Sequence, residues 1–149
     1  FLIIGEGAKK TFLSNEVKKL KLDNIKFIDA LDWQEIIDIN QLINIHLVHL
    51  KKDDEFKKVI PSKIFESMAL KKPIIMGVDG ESRNIVNNAE CAFNIEPENF
   101  NELVNTINKV QKNNEILENM GKNGYKFLEK NFSRKKLSNK MMEYLNSKI

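Results

Sequence analysis

The sequence predicts an α/β fold, an open sheet of parallel strands with helices on both faces and a helical C-terminal tail. Two patterns carry that prediction. Apolar runs of four to six residues, rich in Ile, Val or Phe and lacking a polar face, recur from Phe1 to Ile95, as strands covered on both sides require. Segments with helical spacing separate these runs, and after Ile95 only helical spacing continues.

The predicted strands are Phe1 to Ile4, Ile25 to Ile28, Ile45 to Leu50, Pro73 to Val78 and Cys91 to Ile95. Between the first two, Phe12, Val17 and Leu20 share a helical face. Ile36, Ile37, Ile39 and Leu42 form the next, and Ile64, Phe65, Met68 and Ala69 read as a third buried stripe. Pro97 and Asn99 then open a helix carrying Leu103, Ile107 and Val110, and Asn114 starts another with Ile116, Leu117 and Met120. Ser133 caps a last helix bearing Leu137, Met141, Tyr144 and Leu145. Trp33, beside Asp32 at a helix start, is expected to act as a packing staple.

At 149 residues, 42% hydrophobic and 30% charged, the chain reads as one domain with one core. The single Cys forms no internal disulfide, which fits a reducing cytoplasm. No run approaches the roughly 18 apolar residues of a membrane span. A net charge of +3, dispersed along the chain, argues against nucleic acid and leaves anionic small ligands open. Phe1 begins inside an apolar strand with no initiator Met, so the chain is expected to be a piece of something longer.

The most informative stretch runs from Val59 to Pro73. Ser62 follows Pro61 and precedes an amphipathic run, so it is expected to cap a helix whose first amides face the space beyond the preceding strand. Free amides and the positive helix end suit a phosphate, and Lys63 adds a mobile charge. Ser62 and Glu66, four apart, lie together away from the buried stripe. A carboxylate one turn above a phosphate can accept two hydrogen bonds from vicinal hydroxyls, as a ribose presents them. A capped surface helix with a solvated Glu66 is the plainer reading of the same spacing.

The stretch Pro61-Ser62-Lys63-Ile64-Phe65-Glu66-Ser67-Met68-Ala69, followed by Lys72-Pro73-Ile74-Ile75 and Gly80-Glu81, resembles the nucleotide-sugar binding half of glycosyltransferase family 4. Further pieces occur in that family's order: Phe1-Leu2-Ile3-Ile4-Gly5-Glu6-Gly7, Phe27-Ile28, the helix Trp33 to Asn40, His49-Leu50 and Phe132-Ser133. The likeness is nearest to bacterial O-antigen and capsule enzymes, including the fucosamine-transferase-like subgroup. It implies the Rossmann-like C-terminal half of a GT-B fold over residues 1–149. The N-terminal acceptor domain and this domain's own first strand and helix would be missing. The implied reaction is retaining transfer of a sugar from a UDP-sugar to a lipid-linked saccharide, with no cofactor and no metal. The implied setting is the cytoplasm, with peripheral contact at the inner face of the plasma membrane.

By position, the resemblance assigns Glu66 to the ribose hydroxyls and the amides near Ser62, Lys63 and Ile64 to the diphosphate, with Pro61 beside them in the binding set. It brings the backbone of Ile28 and Asp29 to the base and places Gly5 at the border of the diphosphate. The family's first glutamate lies eight residues before its second, where this chain has Lys58. That departure leaves the donor sugar open, with Asp53, Asp54 or Glu55 as substitutes on the same loop. The isolated chain is accordingly expected to bind donor weakly and to turn over little. A non-catalytic nucleotide-binding module and a nucleotide-sugar epimerase-like domain are the alternatives. A phosphoacceptor receiver domain fails, because adjacent acids do not follow Ile4 and the third strand ends at His49-Leu50.

Weaker signals point to structure. Gly5-Glu6-Gly7 would need a third glycine where Lys10 stands, so it reads as a strand-to-helix turn. His46 and His49, three apart on a strand, face opposite sides and cannot share a metal. Cys91 reads as a small buried hydrophobe. Lys51 to Lys58 is a mixed-charge loop, solvated or a flap over the donor, and Arg134-Lys135-Lys136 with Lys140 forms a basic run that can touch anionic lipid.

Overall fold

The structure is a computed structural model that describes residues 1–148. It comprises two compact units, Phe1–Leu42 and Ile43–Ile149. The first holds β1 (Leu2–Ile4), α1 (Lys10–Lys19), β2 (Lys26–Ile28) and α2 (Trp33–Asn40). β1 and β2 pair in parallel, with Leu2 opposite Lys26 and Ile4 opposite Ile28. Asp32 caps α2 through a reciprocal box with Glu35, two hydrogen bonds of 2.8 Å. Trp33 is 61% exposed, which corrects the packing-staple expectation.

The second unit holds β3 (His46–His49), α3 (Lys63–Ala69), β4 (Ile74–Gly77), α4 (Glu81–Asn88) and β5 (Ala92–Asn94), then α5 (Phe100–Val110), α6 (Asn114–Asn131) and α7 (Arg134–Asn146). A 3-10 turn, Asp54–Lys58, lies between β3 and α3. The sheet order is β3-β4-β5, all parallel, with His46 opposite Ile74 and Ile74 opposite Ala92. Five parallel strands therefore form as expected, but among the described residues their ladders run in two groups, β1-β2 and β3-β4-β5.

Every residue of β4 is buried, the mark of a central strand covered on both faces. Around it Ile64, Met68, Val86 and Cys91 are sealed from solvent. Each large apolar side chain so buried contributes about 1.5–3 kcal/mol. On α3 the buried positions are Ile64, Ser67 and Met68, whereas Ala69 is exposed; the inward face is rotated from the predicted stripe. Ser67 tolerates burial because its hydroxyl donates to the Lys63 carbonyl at 2.6 Å.

Two packings hold α3 where it is. Phe65 meets Phe132, at the C-cap of α6, with ring centroids 4.9 Å apart, and Phe132 also meets Phe127 at 6.0 Å. The loop entering α3 is fixed from the other side, where the buried Ser82 hydroxyl donates to the Val59 carbonyl at 2.6 Å. Gly80, at φ +77°, leaves room for the Lys57 carbonyl, which any Cβ there would strike.

Candidate functional site

Pro61, Ser62, Lys63 and Ile64 lead into α3 beyond the carboxyl end of β3, with Glu66 on the first turn. Ser62 sits at the N-cap position in a helical conformation (φ −57°, ψ −28°) and makes no side-chain cap bond. Its hydroxyl donates instead to Glu66 Oε1 at 3.0 Å, which corrects the expectation that it caps. Lys63 Nζ lies 2.7 Å from Glu66 Oε2. Both carboxylate oxygens thus face donors from the residues that open the helix.

The electrostatics follow. Partial burial pushes the Glu66 carboxyl up, but hydrogen bonds from Lys63 and Ser62 outweigh it and leave the group below its ordinary value. Glu66 is ionised at neutral pH and accepts only.

The helix-start amides are only partly open. Ile64 N–H donates to the Pro61 carbonyl at 3.1 Å, and the Phe65 and Glu66 amides both reach the Ser62 carbonyl, at 3.0 and 3.1 Å. Of the amides assigned to a diphosphate, those of Ser62 and Lys63 remain, on exposed residues.

A histidine outside the expected set stands behind this turn. His46 Nδ1 lies 2.7 Å from Ser67 Oγ. Since the Ser67 proton is directed at the Lys63 carbonyl, the imidazole donates through Nδ1. Burial first, then the charges of Lys72 and Lys63, hold the His46 pKa below its ordinary value. No local spacing announces it, since Ser67 lies 21 residues further along the chain. The expectation considered His46 only as a metal ligand. Its neighbour His49 accepts from the Glu98 amide at Nε2, 2.8 Å, and among the described residues no three His, Cys, Asp or Glu side chains gather as metal ligands.

Lys58 belongs to the 3-10 turn and pairs with Glu55 at 2.8 Å on the surface. Asp53 caps that turn through the Glu55 amide. At the carboxyl ends of β3, β4 and β5, a cavity of about 380 Å³ is lined by Lys52, Asp53, Lys57, Asp79 and Glu96 among others. Open α/β sheets hold ligands at that edge. Glu66, Ser62 and Lys63 do not line it.

Gly5, Ile28 and Asp29 lie in the first unit. Gly5, at φ +124°, takes a backbone conformation that favours glycine, and its amide donates to the Ile28 carbonyl at 3.1 Å. Lys10, the residue that spoils the glycine fingerprint, bridges Glu6 at 2.7 Å and Asp29 at 2.6 Å. These bonds hold its pKa above, and that of Asp29 below, the usual values. The Asp29 carboxylate is thus paired with Lys10, although its side chain is 91% exposed.

No curated protein sequence matches the chain significantly. Among solved structures it is similar to the sucrose-phosphate synthase of Thermosynechococcus elongatus, with a TM-score of 0.75 and 18% identity over 98% of this chain. The match covers 37% of that protein, so this chain spans little more than a third of its length. The likeness supports the Rossmann-like half of a GT-B fold. The family described as glycosyl transferases group 1 matches residues 1–127, and the chain belongs to that family.

Proposed function

We propose that this chain is the donor-binding domain of a retaining glycosyltransferase that moves a sugar from a UDP-sugar to a lipid-linked saccharide in bacterial surface polysaccharide synthesis. Family membership supports sugar transfer. The observation that carries the donor assignment is Glu66, an ionised acceptor on the first turn of α3 beside the exposed Ser62 and Lys63. A ribose replaces the Ser62 and Lys63 hydrogen bonds to the carboxylate, and Lys63 with the Ser62 and Lys63 amides turns to the pyrophosphate. Chemistry at the anomeric carbon proceeds without a resident metal in this reading and draws on groups beyond this chain. A hexosyl or N-acetylaminosugar is the group transferred.

A second reading is a non-catalytic nucleotide-binding module. It draws support from Lys58, which is held by Glu55 at the position where the family carries an acid.

Calorimetric titration of UDP, GDP and ADP into the chain tests the assignment. UDP is expected to bind best, and Glu66→Ala to weaken it by about 1–3 kcal/mol, the scale of a lost hydrogen bond to a charged group. Equal affinity in the variant removes Glu66 from the site. Release of UDP by the whole enzyme, given donor and lipid-linked acceptor, separates the transferase from the module.

A further inference from the structure

The turn between β5 and α5 is tied to the far strand of its sheet. The strand order is β3-β4-β5, so a side chain at the end of β3 must cross β4 to reach that turn. His49, the last residue of β3, does so. Its register partner on β4 is Gly77, where any Cβ would collide with Cδ2 of the imidazole. The absent side chain leaves the gap through which the ring passes. Beyond it, Nε2 accepts from the Glu98 amide at 2.8 Å. An amide N–H only donates, so Nε2 is bare and the ring proton sits on Nδ1.

The segment from Glu96 to Asn99 closes on itself. The Asn99 amide donates to the Glu96 carbonyl at 3.1 Å, and the Glu96 amide donates to Glu102 Oε2 at 2.7 Å. Glu98 has φ +65°, a left-handed conformation that strains a residue with a Cβ. Two side chains from the β3 side hold this turn: His49 at the Glu98 amide, and Lys52, whose ammonium lies 2.5 Å from Glu96 Oε1. Glu96 and Pro97 form one wall of the cavity at the carboxyl edge, and the loop after β3, with Lys52 and Lys57, forms another.

We infer that His49 is a pH-sensitive tie on this wall: the neutral ring holds the turn to the sheet, and the protonated ring releases it. An imidazolium carries N–H on both nitrogens, so Nε2 would then point a proton at the Glu98 N–H and the bond is lost. Imidazole is the side chain that makes such a change in the physiological range. The other charged groups at this edge are Lys51 and Lys52 past β3, the pair Asp54 and Lys57 on the same loop, Asp79 past β4 with its partner Arg83, and Glu96 and Glu98 on the turn itself. Lys52 and Glu96 hold each other charged, with the Lys52 pKa above and the Glu96 pKa below the usual value. That second tie persists when the first is cut. The strained Glu98 backbone then relaxes, and the cavity wall moves with it. The inference uses no residue of the Glu66 turn and is independent of the donor assignment.

The test is amide hydrogen exchange of the chain, read residue by residue by NMR between about pH 8 and 5 and corrected for the intrinsic effect of pH on exchange. Protection of the Glu98 amide is expected to fall about five- to tenfold, the scale of one hydrogen bond, with the same midpoint as the His49 ring carbons. The backbone shifts of Glu96 are expected to move with that midpoint too. His49→Gln keeps an acceptor that does not titrate, and it is expected to flatten the Glu98 profile. His46→Gln is expected to leave the parent profile in place, which assigns the change to His49. The proposal is overturned if Glu98 protection stays level through the His49 titration, if His49→Gln retains the fall, or if His46→Gln abolishes it.

Discussion

The Lys63 ammonium lies 2.7 Å from Oε2 of Glu66 while the Ser62 hydroxyl reaches Oε1 at 3.0 Å, so the acid is held by its own helix start. Nucleotide binding on this turn is an exchange of partners. Lys63→Met is expected to move the Glu66 pKa upward, because burial then acts with less opposition. Carboxyl carbon NMR across an acid titration reads this directly. UDP affinity is expected to fall in the same variant and to depend less on salt. The sign for stability follows from the depressed pKa: the Glu66 contribution is present above the ordinary carboxylate range and is lost as pH falls through it.

His46 gives the opposite kind of group a stability role. Its pKa is lowered by burial and by the Lys72 and Lys63 charges. The unfolded chain therefore takes up a proton near the ordinary value of 6.5 before the folded chain does. Stability is present above that pH and is lost as pH falls below it. Denaturant midpoints between about pH 7.5 and 5 should decline in the parent. His46→Gln, which can still meet Ser67, should show a flatter profile, and an unchanged slope would refute the assignment.

The alternation of strands and helices was legible in the sequence because parallel strands buried on both faces leave uninterrupted apolar runs, as Ile74 to Gly77 do. The meeting of Ser62 and Glu66 on one side of α3 was legible from their four-residue spacing. What spacing could not show was the choice each side chain makes. Ser62 can cap its helix or bond Glu66, and both satisfy the same hydroxyl. The contact of Ser67 with His46 was hidden because the two lie 21 residues apart. Likewise Lys10 became visible only when its partner Asp29 was placed beside it. Side chains that answer to distant partners leave no local period to read.

Cys91 is sealed from solvent, and desolvation pushes its thiol up to about 12. A thiol-specific disulfide reagent should therefore leave the native chain unmodified at neutral pH and label one thiol after denaturation. The unfolded thiol ionises first as pH rises, so this group lowers stability progressively above about pH 9. Prompt labelling of the folded protein would contradict the burial.

Gly121 and Gly124 sit inside α6, where intrinsic propensity favours alanine by about 1 kcal/mol each. Packing reverses the expectation at the first position. A Cβ on Gly121 would strike the Lys71 carbonyl just past the end of α3, and a backbone atom there cannot swing aside. At Gly124 the Cβ would meet Cys91 Cβ at 3.0 Å and Met68 Cγ at 3.3 Å, a tight fit that the flexible Met68 side chain can relieve in part. Gly121→Ala is therefore expected to destabilise by about 1–3 kcal/mol net of propensity, and Gly124→Ala by less. Urea midpoints of the two variants decide between propensity and packing. If Gly121→Ala proves the more stable of the pair, the close approach of α6 to the end of α3 is wrong.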